Sequence, residues 1–377
     1  MFLLVGGVFL RCTIRSKTVH VSDGCRSFAI AQSGKINIFF SIYDEKFFYG
    51  NTHLRIFTIK LHHKGWYSMI DLRDKVAVGG ISRHETFTPR YGWLKKGYDA
   101  AVKNGGIFNA PDAIEHLGVG KNMVRSIRSW CLAFNVLESD ADNKGQLKPT
   151  DLGKKLLSDS GWDPFLEDIA SLWLLHWHLF IPPFEASSWP LAFNYCTLQA
   201  FDHKQLTKIL SSAAKHYNKL ASLSEGSFDK DSSCIIRMYS DQKNVISSGT
   251  DCPFSQLGLV REAEEPNTFR FVTTEKQTLP SLIFAAACFS YAEHTQTTQK
   301  TLSLHKIIYE YNSPGVAFKV SETEGGRLLD EAVGKLNGVD FIESMGNRQV
   351  HFNNRPIDLF WQSLDRYFER KPQRGSL

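Results

Sequence analysis

The sequence predicts a mainly α-helical α+β fold with small β wings. We expect a winged helix-turn-helix module, a helical middle and a second, winged-helix-like C-terminal module. Three observations support this: residues 110–157 have the order helix, turn, helix, hairpin, helix; apolar helical patterns fill residues 169–220; and residues 301–352 again have the order helix, turn, helix, hairpin. With 377 residues and 42% hydrophobic content, the chain is long enough for two or three domains.

Four segments are expected, and the first differs from the rest in charge. Residues 1–68 contain nine basic and three acidic residues, whereas the whole chain has a net charge of only +5. This shift suggests an atypical N-terminal extension, or an artefact of an upstream start with Met69 as the natural start. Mass spectrometry of the native N-terminus distinguishes the two. The other predicted segments are a winged-helix DNA-binding module (69–160), a helical middle (161–230) and an α+β C-terminal module (231–377).

The winged module is predicted element by element. A first helix, with Pro89 at its N1 position, continues to Lys103. A short helix over 111–117 then ends at Gly118, which suits the left-handed backbone of a helix C-terminus. The second helix, over 120–134, has one apolar face formed by Val124, Ile127, Cys131 and Phe134.

The wing and its neighbouring helix follow directly. A strand over 136–138, a polar tip over 142–145 and a returning segment over 146–148 form a hairpin. Thr150 is a suitable N-cap for the next helix. We therefore expect the second helix to be the recognition helix.

Cations on the second helix predict contact with nucleic acid. At 100° per residue, Lys121, Arg125 and Arg128 share a stripe about 100° from the apolar one. Together with Asn122 they form the predicted DNA-binding set. A helix lying along a phosphate backbone needs cations, but three of them give attraction without a sequence code. Two alternatives stay open: a winged helix that docks a protein, and a basic face that is only solvated.

The rest of the chain is predicted to be helical and then mixed. Helices are expected over 169–181, 187–200 and 203–220, followed by a polar loop over 222–231. The first of these is apolar almost all round but too short to cross a membrane, so it reads as a buried helix. In the last third we expect strands over 234–239, 269–273 and 350–352, helices over 279–292, 301–309 and 324–336, and a hairpin of 339–343 with 347–352.

The sequence lacks the motifs of several enzyme classes. There is no phosphate-binding glycine loop of a nucleoside triphosphatase, no dinucleotide-binding glycine fingerprint and no nucleophile elbow of an α/β-hydrolase. No nucleotide cofactor is therefore expected. The seven cysteines are scattered singly without zinc-site spacing, which is typical of a reducing cytoplasm. We predict a cytoplasmic protein with no membrane partner.

Two polar clusters are candidate sites. In the first, His84, Glu85 and Arg90 combine a histidine, a carboxylate and a guanidinium that together suit holding a phosphate and polarising a water. The alternative is local: Ser82 to Glu85 fits a helix capping box, and Arg90 pairs with an acid. The catalytic prediction is therefore His84, Glu85 and Arg90.

The second cluster is acidic. Asp163, Glu167 and Asp168 lie close together, and three carboxylates suit Mg²⁺ or Mn²⁺, which phosphodiester cleavage usually requires. The alternative is that Glu167 and Asp168 charge the first turn of the following helix, where the helix dipole favours acids. The predicted metal ligands are Asp163, Glu167 and Asp168, with Mg²⁺ or Mn²⁺ as the ion.

Several uncommon strings occur in an order that resembles a known family. The strings are Arg83–Phe87, Arg90–Gly97, Leu117–Val124, Gly161–Pro164, Leu172–Trp177, Asp251–Pro253, Thr301–Leu304 and Ser313–Gly315. On these strings the chain resembles the domain-of-unknown-function family four thousand and seven over roughly residues 82–355. Residues 1–68 lie outside the resemblance.

The resemblance implies a function in DNA modification. The family is found in bacterial defence loci that replace a non-bridging phosphate oxygen of DNA with sulfur. Its companions there are a cysteine desulfurase, an adenylating sulfurtransferase and an ATPase, and members of the SspB type are regarded as DNA-nicking components. The chain would thus bind DNA through its winged helix and open a strand, or present it, for sulfur insertion. No catalytic motif carries over from the family to these residues.

Two functions stay open for the chain. In the first, the chain is the DNA-binding, metal-dependent nicking subunit of a phosphorothioation system. In the second, it is a non-catalytic adaptor that binds DNA and recruits the sulfurtransferase and ATPase subunits. A transcriptional regulator is the third and weaker alternative, because the middle of the chain is far larger than a dimerisation element. Plasmid nicking and co-purification with partners distinguish the first two.

Overall fold

The structure is a computed structural model. It describes six strands within residues 2–63 by their backbone, and then residue 76 and residues 79–217, 219–240, 252–295, 300–344 and 346–369. The chain divides into two compact units, residues 1–69 and 70–377. The first unit nearly coincides with the predicted extension, whose origin stays a prediction.

The described part of the first unit is formed by antiparallel strands. A two-stranded hairpin pairs β1 with β2, and a four-stranded sheet has the order β3-β4-β5-β6. Apolar residues alternate loosely between residues 36 and 61, a pattern that predicts one or two strands, and the structure has β5 and β6 there. The bounds are β1 Phe2–Val5, β2 Val8–Arg11, β3 Val19–Ser22, β4 Cys25–Gln32, β5 Ile36–Tyr49 and β6 Thr52–His63.

The second unit begins with four helices and a hairpin, here called the α1–α4 module. The predicted order of elements is confirmed, and β7 pairs antiparallel with β8. Gly118 ends α2 with a φ of 61°, and Thr150 caps α4 by accepting a hydrogen bond from the Gly153 N–H at 2.9 Å. The bounds are α1 Trp93–Lys103, α2 Ala113–Leu117, α3 Lys121–Ala133, β7 Leu137–Ser139, β8 Leu147–Pro149 and α4 Asp151–Leu157.

The predicted start of α1 is wrong. Pro89 is not at N1, because the helix begins four residues later, at Trp93. Gly92 precedes it with a φ of 74°, a left-handed conformation that a glycine adopts readily and that interrupts any helix begun upstream. The helix end at Lys103 is as predicted.

Four helices and a short strand form the helical middle. The strand predicted over 234–239 is wrong, because these residues belong to α8. A short apolar run does not distinguish a buried strand from a buried helix. Because α8 continues across the predicted domain boundary at residue 230, that boundary does not separate two folding units. The bounds are α5 Ile169–His178, α6 Ser188–Tyr195, β9 Phe201–Asp202, α7 His203–Ala214 and α8 Glu225–Tyr239.

The C-terminal part mixes helices with two small antiparallel sheets. Their strand orders are β10-β11-β9 and β12-β14-β13. The predicted hairpin of 339–343 with 347–352 is confirmed, whereas Thr301 begins a strand rather than a helix. The bounds are β10 Val260–Glu262, β11 Thr268–Phe271, α9 Ser281–His294, β12 Thr301–Ser303, α10 Leu304–Tyr309, α11 Pro314–Phe318, α12 Glu322–Val333, β13 Val339–Ser344, β14 Asn347–Phe352 and α13 Pro356–Phe368.

A large apolar core runs through the second unit, and nearly all of α5 is buried in it. Trp173 and Trp177 are completely buried, as is His176, whose two ring nitrogens lie within hydrogen-bond distance of the Tyr239 hydroxyl and the Ala317 carbonyl. Burial lowers the pKa of His176 to about 3, so the ring is neutral. None of the described helices is both long and apolar enough to cross a lipid bilayer.

Candidate nucleic-acid interface

One side of helix α3 packs against the interior of the protein. Val124, Ile127 and Cys131 are buried, and so is Trp130, whose indole N–H donates to the Phe87 carbonyl at 3.0 Å. This confirms the apolar stripe predicted from spacing. Because these residues fix the rotation of the helix, the residues on its opposite side are turned away from the core.

The outer side of α3 carries the predicted DNA-binding residues, here called the α3 cationic face (Lys121, Asn122, Arg125 and Arg128). Lys121 and Asn122 are exposed, the Arg125 side chain is 55% exposed, and Arg128 is partly exposed. The helix contains no acidic residue. The face is therefore cationic and open to solvent.

One carboxylate approaches this face. The Arg125 guanidinium lies 3.4 Å from the Glu85 carboxylate, in a loose pair that is largely exposed. Among the described residues, no carboxylate lies within ion-pair distance of Arg128 or Lys121. Exposed pairs of this kind contribute about 0–1 kcal/mol, so Arg125 remains available to a stronger anionic partner.

The N-terminus of α3 is open as well. Gly120 is its N-cap and supplies no side-chain hydrogen bond. Apart from their own neighbours in the chain, no atom lies within 4 Å of where a Cβ would stand on Gly118 or Gly120. The first N–H groups of a helix have no partner inside the helix and favour anions, and Lys121 adds a charge at the same end. An anion reaching this end would meet N–H donors and a cation together.

His84, the first predicted catalytic residue, is buried. Its side chain is stacked on Trp130 of α3, and its Nε2 lies 2.8 Å from an oxygen of Asp231 on α8. Burial acts to lower the pKa of His84, but the Cys234 sulfur and the Asp231 carboxylate outweigh it and raise the pKa to about 10. The ring is therefore protonated at neutral pH and pairs with Asp231, which does not suit a general base.

The other two predicted catalytic residues have different partners. Glu85 pairs with Arg125, while the Arg90 guanidinium lies over the rings of Phe87 and Trp93, 5.8 and 5.4 Å from their centroids. In residues 79–217, which the structure describes without a gap, no hydrogen bond or ion pair joins His84, Glu85 and Arg90 to one another. Their catalytic function stays a prediction.

The alternative offered for this segment, a capping box, is wrong. Ser82 has a φ of 56° and its N–H donates to Asp231 at 3.2 Å, so the residue begins no helix. Glu85 and Thr86 also have positive φ values of 48° and 66°. Three non-glycine residues in the left-handed region are uncommon and unfavourable, and the segment holds this shape because helices α3 and α8 bind it.

Sequence reasoning missed the residues that hold this segment. Asp231 accepts hydrogen bonds from His84, from the Ser82 N–H and from the Ser188 hydroxyl, and Arg237 donates to the Thr86 carbonyl. Asp231 lies 147 residues from His84 in the chain, inside what the sequence suggested was a loop. No local spacing signals such a long-range pair.

The predicted metal ligands serve the local fold. Asp163 is buried, and its carboxylate accepts hydrogen bonds from the N–H groups of Glu167 and Asp168 and from the Ser171 hydroxyl, at 2.9, 3.0 and 2.6 Å. Asp168 caps α5 by accepting from the Ala170 N–H at 3.0 Å. In the described residues, no group of three or more His, Cys, Asp or Glu side chains is arranged to hold a metal ion. Metal binding by Asp163, Glu167 and Asp168 stays a prediction.

The predicted second module, which ends in the β13–β14 hairpin, differs in charge from the α1–α4 module. Helix α12 occupies the position that α3 has in the first module, directly before a hairpin. Its exposed residues include Glu322, Asp330 and Glu331, and its exposed Arg327 is paired with Glu324 and lies near Glu331. A surface of this composition repels phosphate. Of the two helices α3 and α12, α3 is therefore the one with a face suited to nucleic acid.

A family profile described as "Protein of unknown function (DUF4007)" matches residues 81–368. The chain belongs to the DUF4007 family. The match begins just before the His84 segment and ends with α13, so it contains the α3 cationic face and leaves out the first unit. A search of curated proteins found no match.

Two solved structures are similar to this DUF4007 chain. They are an SspB crystal structure and a magnesium ion-bound SspB crystal structure, each with a TM-score of 0.72 and 32% sequence identity. In each case the alignment covers 80% of this chain and 93% of the other. The mixed α and β architecture of the chain is thus similar to that of SspB.

Proposed function

We propose that this DUF4007 chain is the DNA-binding component of a bacterial DNA phosphorothioation system. The observation that carries the proposal is the α3 cationic face, which is exposed, free of acids on its own helix and backed by a rigid core. The similarity to SspB over most of the chain supports the system to which it is assigned. In this proposal α2 and α3 form the helix-turn-helix, and β7 and β8 form the wing.

Binding would depend on phosphate contacts. Arg125 and Arg128 would each place a guanidinium on the phosphate backbone, where charge-assisted hydrogen bonds are strong and often bidentate. Lys121 and the open N-terminus of α3 would hold a neighbouring phosphate. Such contacts position a protein on DNA but carry no sequence information. Affinity should therefore vary strongly with salt and little with sequence.

The family resemblance also supports a function in binding the other subunits of the system. We propose that the DNA-bound chain recruits the sulfurtransferase and ATPase subunits of the system in the cytoplasm. The five cysteines within the described residues are all free, which agrees with a reducing compartment. In this form the chain is an adaptor, and no reaction step depends on its own side chains.

Metal-dependent nicking is the second candidate, because one of the two similar structures is a magnesium ion-bound SspB. Asp163 does not fit a direct magnesium ligand, since three donors already occupy its buried carboxylate. Glu167 is exposed and keeps its carboxylate for solvent or an ion. We therefore derive no chemical step through a metal. A plasmid-relaxation assay with Mg²⁺ and Mn²⁺ tests nicking, and Glu167→Gln and Glu85→Gln test the two candidate clusters.

The experiment that tests DNA binding is a titration of labelled duplexes of several sequences. Arg125→Ala/Arg128→Ala should weaken binding to all of them alike. A matched control is Lys300→Ala/Arg355→Ala, which removes two exposed cations from the C-terminal part of the chain. If the α3 variant binds like the wild type, the α3 cationic face is not the DNA interface.

A further inference from the structure

A second stretch of the chain is basic without any acid. From His203 to Ser224 the sequence contains four lysines, two histidines and no aspartate or glutamate. Like residues 116–137 around α3, which are also basic and free of acids, this stretch differs in charge from most of the second unit. It coincides with helix α7 and the turn that follows it.

The lysines lie on one side of α7. Lys204, Lys208 and Lys215 are exposed, whereas the opposite side, with Leu206, Leu210, Ala213 and Ala214, is buried. At 100° and 1.5 Å per residue, the three lysines fall within about 40° of one another and span about 16 Å along the helix axis. We call them the α7 lysine face.

No carboxylate in the described part of the chain pairs with this face. Among the described residues, none of the three lysines forms an ion pair, although other surface cations do: Arg355 pairs with Asp358 at 2.7 Å and Lys335 with Glu331 at 2.5 Å. Lys204 and Lys208 are like charges four residues apart on a helix, an arrangement that destabilises the helix. An anionic partner would be attracted by both ammonium groups and would offset the repulsion between them.

We propose that the α7 lysine face is a second contact for the phosphate backbone of duplex DNA. The inference rests on the proposed DNA-binding function and extends it beyond α3. Lys204 and Lys208 are about 6 Å apart along the helix axis. Both ammonium groups can therefore lie along one duplex, which carries a phosphate about every 3.4 Å of axis on each strand. The face would add affinity without adding sequence preference.

Charge and composition favour DNA over an acidic protein as the partner. Protein interfaces have a buried core rich in aromatic and apolar side chains and are depleted in lysine. Within α7, whose residues are all described, Leu206 and Leu210 are buried, so the helix itself offers no exposed large apolar anchor beside the lysines. Phosphate contacts need only the cations.

The test compares two variants of the full chain on a long duplex of mixed sequence. Lys204→Ala/Lys208→Ala should weaken binding roughly three- to tenfold at low salt and lower the salt slope by up to about two. Lys204→Arg/Lys208→Arg should bind like the wild type, since it keeps both charges. The control is again Lys300→Ala/Arg355→Ala, which should leave binding unchanged. Alanine favours helix, so the α7 variant should fold, and circular dichroism confirms it.

The outcomes separate this inference from the proposed function. If the wild type binds no DNA, both fail. If Arg125→Ala/Arg128→Ala weakens binding while Lys204→Ala/Lys208→Ala does not, the α7 lysine face is overturned and the proposed function stands. If both variants weaken binding and the control does not, the face is supported. A loss of binding in the arginine-for-lysine variant would also overturn it, because charge alone should suffice.

Discussion

The His84 ring and the Asp231 carboxylate form an ion pair in the interior of the second unit, with Nε2 2.8 Å from Oδ1. The pair joins the segment that precedes α1 to helix α8. Because Trp130 of α3 is stacked on the same histidine, the helix that carries the proposed DNA contacts is fixed to the body of the protein through it. His84 therefore links α3 to α8, while its catalytic function stays a prediction.

The ion pair predicts a specific dependence of stability on pH. The folded-state pKa of His84, raised to about 10, lies above its ordinary value of 6.5. The pair therefore contributes its full stability below about pH 6.5 and loses it as the pH rises through about 10. Asp231→Asn should cost about 3–5 kcal/mol near neutral pH, because it leaves a buried cation unpaired.

Denaturant unfolding from pH 6 to pH 10 measures this effect. The free energy of unfolding of the wild type should fall across that interval. For Asp231→Asn it should change much less with pH. The exposed neighbour Asp229 offers a control, since Asp229→Asn should keep the wild-type slope. Equal slopes in the wild type and Asp231→Asn would show that the pair is not ionised.

Glu85 should oppose DNA binding. Its carboxylate lies beside Arg125 and competes with phosphate for the guanidinium. Glu85→Gln should therefore tighten binding by up to about fivefold, the range expected for an exposed ion pair. Fluorescence anisotropy at fixed salt measures the change. Weaker binding in this variant would mean that Glu85 holds Arg125 in its binding position.

The β7–β8 hairpin should depend on a glycine in α4. A Cβ at Gly153 would lie 2.1 Å from the Val136 carbonyl oxygen, which is backbone immediately before β7. Gly153→Ala should thus destabilise the protein by more than about 2 kcal/mol. Gly226→Ala in α8 is the matched control, because no atom crowds that site and alanine favours helix by about 0.5–1 kcal/mol. Thermal unfolding compares them, and a neutral Gly153→Ala would contradict the close approach of α4 to this strand.

Asp163 and Glu167 should differ sharply in their effect on stability. Asp163→Ala leaves two N–H groups and a hydroxyl without their acceptor and should cost about 1–3 kcal/mol. Glu167→Ala removes an exposed side chain and should change stability by less than about 0.5 kcal/mol. Chemical denaturation of both variants measures this. A large effect at Glu167 alone would point to a function that the hydrogen bonds do not explain.

Much of the fold could be predicted because its signals are local. The turn at Gly118, the N-cap at Thr150 and the apolar stripe of α3 each follow from a few neighbouring residues, and the structure confirms them. The outward direction of Arg125 and Arg128 follows from the same stripe. Helical periodicity alone was thus enough to predict which residues form the proposed DNA-binding face.

The surroundings of the candidate catalytic residues could not be predicted, because they depend on contacts between distant segments. His84 is buried by Trp130 and Asp231, and nothing near it in the sequence indicates burial. The six residues 234–239 were ambiguous for a different reason: they are apolar on nearly every side, so neither a period of two nor one of 3.6 is visible. The continuous helix α8 resolves that ambiguity in the structure.

The central claim is that α3 contacts the phosphate backbone, and the salt dependence of DNA affinity tests it most directly. For the wild type, the logarithm of the association constant should fall steeply and linearly with the logarithm of the salt concentration. For Arg125→Ala/Arg128→Ala, we predict that this slope is smaller by up to about two, on every duplex sequence. A slope and an affinity identical to those of the wild type would contradict the claim.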